Sequence, residues 1–210
     1  EGVSKVTDVF EMAYDLDYGF RSKHHGEAIA PRKYAGFDAN TIDLSRPVLF
    51  DDGDLKITAF KVIHEPIEPA LGYKFEYKGR SLVITGDTSY SQSVIDNSRD
   101  VDVLFHEAQA NHMVAVIENF ALQNGAKLRA KLMSDIKTYH TTLIEAADIA
   151  NKAGVKKLVF YHLTPAPRNY LTELMFVRGV DEVRKDWLLA KDGTLLVLPV
   201  DSDEIIVSTM

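Results

Sequence analysis

The chain has no cysteine among its 210 residues. Disulfide bonds, cysteine nucleophiles and thiolate zinc sites are therefore excluded. The localisation stays unknown, because a chain without cysteine suits the cytoplasm or the periplasm equally, and a targeting segment ahead of Glu1 could have been lost. No apolar run approaches the roughly 18 residues of a membrane-spanning helix, so we expect no membrane contact.

Positive charge is also scarce, with 24 Lys and Arg against 31 Asp and Glu and a formal net charge of −7. Because phosphate binding requires clustered cations, this balance argues against nucleic acid as a partner, although a local basic patch remains compatible with it. The hydrophobic fraction of 46% and the charged fraction of 26% are typical of a globular protein. We interpret residues 1–210 as one domain.

Hydrophobic periodicity changes along the chain. Val6–Gly19 has helical spacing, whereas Arg21–Leu44 is polar and predicts a loop. Short strands with tight turns follow from Leu55 to Thr85. Strands then alternate with helices, which favours an α/β fold whose sheet is covered by helices.

Three segments near the C-terminus complete this pattern. Thr141 to about Ala153 predicts a helix, with Glu145 three residues after Thr142 as in a capping box. Leu171–Arg184 also predicts a helix. Residues 188–198 predict a final hairpin around the Asp192-Gly193 turn.

Three candidate residues end predicted strands. Asp87 follows the strand Ser81–Thr85, His64 follows the strand 56–63, and His162 follows the strand Lys157–Tyr161. The carboxyl ends of strands are where α/β sheets place ligands. Each residue also has a plain interpretation. Asp87 could cap the next helix, and either histidine could be held by a backbone carbonyl at a sheet edge.

Two further candidates lie beside these. His140 precedes the helix that begins near Thr141, where a histidine can donate a hydrogen bond to an anion or simply precede the cap. His106 and Glu107 come directly at the end of the strand Val101–Phe105, and we interpret His106 as a core histidine. His24, His25 and His112 are interpreted as surface residues. Imidazole and carboxylate without thiolate suit zinc, manganese or iron, and a carboxylate can bridge two metals.

An ordered set of motifs resembles the metallo-β-lactamase superfamily, and most of all its tRNA 3′-endonuclease (RNase Z) and arylsulfatase-like branch. The resemblance covers about residues 1 to 200. Its motifs are Val62-Ile63-His64, Ala70-Leu71-Gly72-Tyr73-Lys74, Leu82-Val83-Ile84-Thr85-Gly86-Asp87-Thr88, Val103-Leu104-Phe105-His106-Glu107-Ala108, His140-Thr141-Thr142 with Glu145-Ala146-Ala147, and Gly154-Val155-Lys156-Lys157-Leu158-Val159 to His162.

This resemblance implies an αββα sandwich with two divalent metal ions, zinc first and manganese or iron as alternatives. His64 is then expected to bind the first metal, Asp87 to bridge both, and His162 to bind the second. His140 is expected to hydrogen-bond the substrate oxygen or assist the leaving group. Glu107 is expected to orient that histidine.

Two departures from the family shape the prediction. The signature H-x-H-x-D-H is absent, so we expect that only the C-terminal portion of the sandwich is present here. The N-terminal portion would be missing or carried by another chain. The interval from His64 to Asp87 is also short, at 23 positions. With the acidic charge, this favours the arylsulfatase-like branch over tRNA processing.

The predicted function is metal-dependent hydrolysis of a small-molecule sulfate, phosphate or carboxylate ester. The alternatives are a tRNA 3′-processing endonuclease and an inactive half-domain. The half-domain would expose an apolar face, to be covered by a second copy or by a companion N-terminal polypeptide.

Overall fold

The computed structural model describes residues 2–209. The chain forms two compact units, Glu1–Asp43 and Leu44–Met210. In the first unit, helix α1 spans Gly2–His25. It is longer than the predicted Val6–Gly19, so the start of the predicted loop is helical. No residue of α1 is buried.

The second unit contains a seven-stranded sheet in the order β1-β2-β3-β4-β5-β6-β7. Strands β1 to β4 are antiparallel neighbours, and β4 to β7 run parallel. The nine strands of the described chain are β1 Val48–Asp51, β2 Leu55–Val62, β3 Ala70–Tyr77, β4 Arg80–Ile84, β5 Val103–Gln109, β6 Lys157–Thr164, β7 Trp187–Leu189, β8 Thr194–Val197 and β9 Ile206–Thr209. The predicted strands of residues 55–85 and 157–161 are confirmed.

Six further helices connect or follow these strands. They are α2 Gln92–Asn97, α3 Asn111–Gln123, α4 Lys127–Asp135, α5 Leu143–Lys152, α6 Tyr170–Phe176 and α7 Val180–Val183. The capping box predicted at Thr142 and Glu145 is present at the start of α5. The single helix predicted for Leu171–Arg184 is wrong, because α6 ends at Phe176 and a new helix begins at Val180, with Gly179 at φ +87° as its N-cap.

The predicted hairpin near the C-terminus is also wrong. The first of its strands, β7, lies parallel to β6, with Leu188 opposite Val159. The second, β8, pairs with β9 in a separate two-stranded sheet. Gly193 has the positive φ of a tight turn, but non-local pairing places apolar β7 residues beside a buried strand. That burial outweighs the local turn preference.

The core lies on the face of the main sheet that α2 and α5 cover. It includes Phe60, Val83, Leu104, Leu158 and Phe160. Side chains on the other face of the sheet, such as those of Tyr73, Leu82 and Phe105, are only half-buried. The predicted α/β class is confirmed, and one half-covered sheet face is compatible with part of a sandwich.

At the end of the sheet where β4 and β5 begin, Arg80 is buried and pairs with buried Asp102, with Nε 3.1 Å from Oδ2. Its other nitrogens donate to carbonyl oxygens of the C-terminal segment, those of Pro199, Ser202 and Glu204. Lys156 adds a second cation 3.0 Å from Asp102 Oδ1. This network attaches the segment 199–204 to the sheet.

Candidate metal and catalytic site

The opposite ends of the parallel strands bring three of the predicted site residues together. Asp87 follows β4, Glu107 lies in β5 and His162 lies in β6. Because these strands are parallel neighbours, their carboxyl ends meet at one edge. His140 reaches the same edge from the segment ahead of α5.

A bulge directs His162 towards this edge. Tyr161 pairs with Glu107, and Leu163 pairs with the next residue, Ala108, so His162 has no partner on β5. It takes a positive φ of 44°. A bulge of this kind bends the strand and re-aims a side chain. Its Nδ1 consequently lies 3.4 Å from Asp87 Oδ1.

Glu107 organises the centre of the site. Its carboxylate is fully buried, and Oε1 accepts hydrogen bonds from His140 Nδ1 at 2.9 Å, Thr141 N at 3.1 Å and Thr88 N at 3.2 Å. The Thr141 hydroxyl also donates to the carbonyl of Thr88. These bonds join β5, the loop after β4 and the start of α5 around one carboxylate oxygen.

The contact with Glu107 also affects the pKa of His140. Burial by itself lowers the pKa of this imidazole, but the hydrogen bond and charge of Glu107 outweigh burial, and the pKa of His140 is raised. With Nδ1 held by Glu107, Nε2 remains for another partner. Such a carboxylate–imidazole pair fixes both the ring orientation and the tautomer.

Donor atoms of Asp87, His140 and His162 lie within 4.8 Å of one another. The ring centroids of His140 and His162 are 5.6 Å apart. Two imidazoles and a carboxylate suit a divalent ion such as zinc, and three protein ligands are the usual number at a catalytic zinc. This donor set fits one ion. A second ion would need further ligands.

His64 lies beside this cluster rather than within it. Its Nδ1 is 3.0 Å from the carbonyl oxygen of Tyr139, as the plain interpretation of an edge histidine expects. Its ring centroid is nevertheless 5.3 Å from that of His140. With Nδ1 donating to the carbonyl, Nε2 has the lone pair that a metal ligand requires. Metal binding by His64 stays a prediction.

Sequence reasoning missed Tyr139, Thr88 and the backbone of Thr141 as parts of this site. Tyr139 directly precedes His140, and its ring centroid lies 5.1 Å from that of His64 and 5.0 Å from that of His140. Its position next to His140 in the sequence was the signal that could have placed Tyr139 in the site. Thr88 and Thr141 reach Glu107 through their backbone N–H groups, which leave no trace in residue type.

The remaining histidines agree with their predicted places. His106 is fully buried, with Nδ1 2.8 Å from the carbonyl oxygen of Glu107. Burial lowers its pKa. His24, His25 and His112 are exposed. Separately, no helix within residues 2–209 is both long and apolar enough to span a bilayer.

Residues 11–163 match the family described as "Beta-lactamase superfamily domain". The chain belongs to this superfamily, as the sequence motifs predicted. The metallo-β-lactamase fold protein YhfI from Bacillus subtilis shares the fold, with a TM-score of 0.51 and 23% identity. The alignment covers 73% of this chain and 53% of YhfI.

Within the superfamily, the chain is similar to ribonuclease Z. It is 28% identical to ribonuclease Z of Mycobacterium marinum over 165 residues, which cover 79% of this chain and 53% of that protein. It is 31% identical to ribonuclease Z of Mycolicibacterium paratuberculosis over 169 residues, with the same two coverages. The chain thus spans about half the length of these relatives.

Proposed function

We propose that this chain carries part of the active site of a metal-dependent hydrolase that cleaves a phosphate ester, with a phosphodiester as the preferred substrate. The observation that carries the proposal is the buried Glu107–His140 pair beside Asp87 and His162. The similarity to ribonuclease Z favours a phosphodiester over the sulfate ester of an arylsulfatase-like enzyme. Sulfate and carboxylate esters remain the competing substrate classes.

Asp87 and His162 would hold a divalent ion, with His64 as the further predicted ligand in place of His140, whose Nε2 is left for the substrate. When bound, such an ion acidifies water and withdraws electron density from an ester oxygen. Zinc suits these ligands best, while manganese and iron use the same donors. The short distance between Asp87 and His162 supports this assignment.

His140 would act on the substrate. Glu107 stabilises its imidazolium form, which can donate a proton from Nε2 to an anionic ester oxygen or to the leaving group. Until that proton is transferred, the negative charge of Glu107 compensates the imidazolium, and the fixed ring avoids reorientation during the reaction. Placed general acids of this kind contribute about 10²–10⁴ in rate.

The test compares the zinc-loaded chain on bis-p-nitrophenyl phosphate, p-nitrophenyl sulfate and p-nitrophenyl acetate. We expect the phosphodiester to be cleaved fastest. His140→Ala should lower kcat by about 10²–10⁴ while bound zinc is retained. Loss of zinc from this variant would instead make His140 a metal ligand, and an unchanged kcat would remove its role. His112→Ala is the matched control, since His112 is exposed.

A second candidate, tRNA 3′ processing, rests on the relatives named ribonuclease Z. Cleavage of a precursor tRNA at its 3′ side, at low salt and with zinc, would establish it. Failure on precursor tRNA together with turnover of the small phosphodiester would reject it.

A third candidate is a half-domain that is active only with a companion polypeptide or a second copy. The half-buried sheet face of Tyr73, Leu82 and Phe105 supports it, because apolar sheet faces are ordinarily covered. Metal content and native mass of the purified chain distinguish the cases. A monomer with bound zinc and turnover on its own would reject the half-domain.

A further inference from the structure

Gln109, the last residue of β5, is fully buried and contacts the segment that leads into the candidate site. Its Nε2 donates to Asn111 Oδ1 at 2.6 Å and to the carbonyl oxygen of Ile136 at 3.2 Å. Because a backbone carbonyl can only accept, the bond to Ile136 determines which end of the amide faces this segment. Oε1 of Gln109 is buried and has no partner among residues 2–209, so the side chain is held through Nε2.

The backbone of Gln109 holds the other end of the same segment. On one side, Gln109 pairs with Thr164 of β6. On the other side β4 does not extend this far, and residues 141 and 142 take its place. The N–H of Gln109 donates to the carbonyl of Thr141 at 2.8 Å, and Gln109 pairs with Thr142 in a parallel bridge. Gln109 thus fixes the segment at two carbonyls, those of Ile136 and Thr141.

Two groups of the candidate site lie between these carbonyls. The carbonyl oxygen of Tyr139 is 3.0 Å from Nδ1 of His64, and Nδ1 of His140 is 2.9 Å from Glu107 Oε1. Since a carbonyl has no proton to donate, Nδ1 of His64 carries the proton and Nε2 carries the lone pair. The position and tautomer of His64 therefore depend on where the backbone of residues 137–140 lies.

We infer that Gln109 is a positioning residue of the candidate site. It holds the segment at Ile136 and Thr141. The carbonyl of Tyr139 then lies where it selects the Nδ1–H tautomer of His64, which leaves Nε2 for a metal ion. Hydrogen-bond partners of this kind fix the ring orientation of metal-binding histidines, and their loss lowers metal affinity about 10–100-fold. The inference rests on the proposed function, in which His64 is the further metal ligand.

A purely structural role is the competing explanation, because a buried amide that links two segments also stabilises the fold. Asn151 is the matched case. Its Nδ2 donates to the carbonyl of Val183 at 2.9 Å and links α5 to α7, at the end of α5 that lies away from the site. Asn151→Leu should therefore destabilise the chain and leave His64 unaffected, whereas Gln109→Met should affect both.

The first experiment determines the tautomer of His64 in the metal-free chain from its ring ¹⁵N chemical shifts at alkaline pH. The unaltered chain and Asn151→Leu should show Nδ1–H. Gln109→Met keeps the side-chain length but has no N–H donor, and it should show a mixture of both tautomers. His106 is the internal reference, because its Nδ1 partner is the carbonyl of Glu107 on its own strand. Identical His64 tautomers in Gln109→Met and the unaltered chain would overturn the inference.

The second experiment measures zinc affinity by competition with a chromophoric chelator, alongside urea denaturation of each protein. Gln109→Met should bind zinc about tenfold more weakly than the unaltered chain. Asn151→Leu should bind zinc as the unaltered chain does. Equal losses of zinc affinity in the two variants would show a response to general destabilisation and would overturn the positioning role.

Asn111 provides a milder pair of variants if Gln109→Met does not fold. Asn111→Ala removes the shorter of the two bonds of Gln109 Nε2, so the amide is less firmly held, whereas Asn111→Asp keeps an acceptor oxygen. Weaker zinc binding and a mixed His64 tautomer in Asn111→Ala but not in Asn111→Asp would support the inference. An unchanged tautomer and an unchanged zinc affinity in Asn111→Ala would overturn it.

The tautomer measurement uses neither metal nor ester, so it separates the inference from the proposed function. A His64 tautomer that depends on Gln109, in a chain that neither binds zinc nor cleaves an ester, would sustain the positioning role and reject the function. Zinc-dependent hydrolysis by a chain whose His64 tautomer is indifferent to Gln109→Met would sustain the function and overturn the positioning role.

Discussion

The two ends of the parallel strands carry buried charges that are satisfied to different degrees. At the end where β4 begins, Arg80 has four acceptors and Asp102 receives both Arg80 and Lys156. At the carboxyl ends, Glu107 Oε2 and His106 Nε2 are buried without a partner among the described residues. The buried side-chain atoms of Arg80 and Asp102 are thus all paired at one end of the strands, whereas those of Glu107 and His106 are only partly paired at the other end.

Low dielectric explains what this difference means. A buried charge is tolerated when all its hydrogen bonds are made, and an unpaired polar atom there is costly. We therefore interpret the Arg80 network as structural, because each nitrogen of its guanidinium already has an acceptor within the protein. The Glu107 cluster retains unused donors and acceptors, as a site that binds an external group does.

Breaking the Arg80 network should have the largest effect. Arg80→Met removes a guanidinium and leaves Asp102 and three carbonyls without it, so we expect a loss of about 3–5 kcal/mol in the free energy of unfolding. Urea denaturation measures it. Arg99→Met, which removes an exposed pair with Asp96, should cost less than about 1 kcal/mol. Equal effects in both variants would contradict the comparison.

Neutralising the centre of the Glu107 cluster should affect chemistry more than folding. Glu107→Gln keeps the shape but removes the charge that favours imidazolium, so the pKa of His140 should fall. NMR titration of the metal-free chain checks this directly. With zinc bound, kcat on a phosphodiester should fall about 10²-fold. A kcat that stays the same despite a lowered pKa would separate His140 from the reaction.

His106 should make stability depend on pH. Its pKa is lowered by burial from 6.5, so the folded state resists protonation more than the unfolded chain does. Its contribution is present above pH 6.5 and is lost as pH falls towards the folded pKa, with a limiting slope of about 1.4 kcal/mol per pH unit.

His106→Asn keeps a donor for the carbonyl of Glu107 and should flatten this slope in urea denaturation from pH 7 to 5. His140 has the opposite sign, because its raised pKa contributes stability that is lost as pH rises. Because both proteins contain His140, the difference in slope between His106→Asn and the unaltered chain gives the contribution of His106 alone. His112→Asn should leave the slope unchanged, since that side chain is exposed. A slope that persists in His106→Asn would contradict the assignment.

The smallest effect concerns the helix start beside the site. Thr142→Ala removes the N-cap hydroxyl that accepts from Glu145 N at 3.2 Å and should cost about 1 kcal/mol in thermal or urea unfolding. Thr142→Ser retains the hydroxyl and should cost a few tenths at most. A loss in Thr142→Ala well above this expected value would show that the cap also supports the Glu107 cluster through neighbouring Thr141.

Local patterns predicted the parts of this protein that depend on neighbouring residues. The strands at 55–85 and 157–161 have alternating or continuous apolar residues, and the α5 cap follows from Thr142 and Glu145. Asp87 follows β4 as predicted, whereas β5 and β6 each continue two residues beyond Glu107 and His162, so the predicted ends of those two strands were wrong. Helix α4 was missed because its apolar residues have no clear period.

Other features depend on distant residues and were missed or mistaken. The pairing of β7 with β6 replaced the expected hairpin because burial beside β6 outweighs a local turn. The bulge that turns His162 towards Asp87 arises from register with β5. Arg80 gave no signal, since its partners lie 22 to 124 positions away.

By itself, the sequence determined the family, the α/β class and the residue types available for chemistry, because these depend on motif order and hydrophobic period. The tertiary structure alone decided which of these residues meet. It joined Asp87, His140 and His162, and it left His64 beside them with its Nδ1 on a carbonyl. The physical reason is that strand register and buried hydrogen bonds between distant segments set these distances, and neither is encoded in any short stretch of chain.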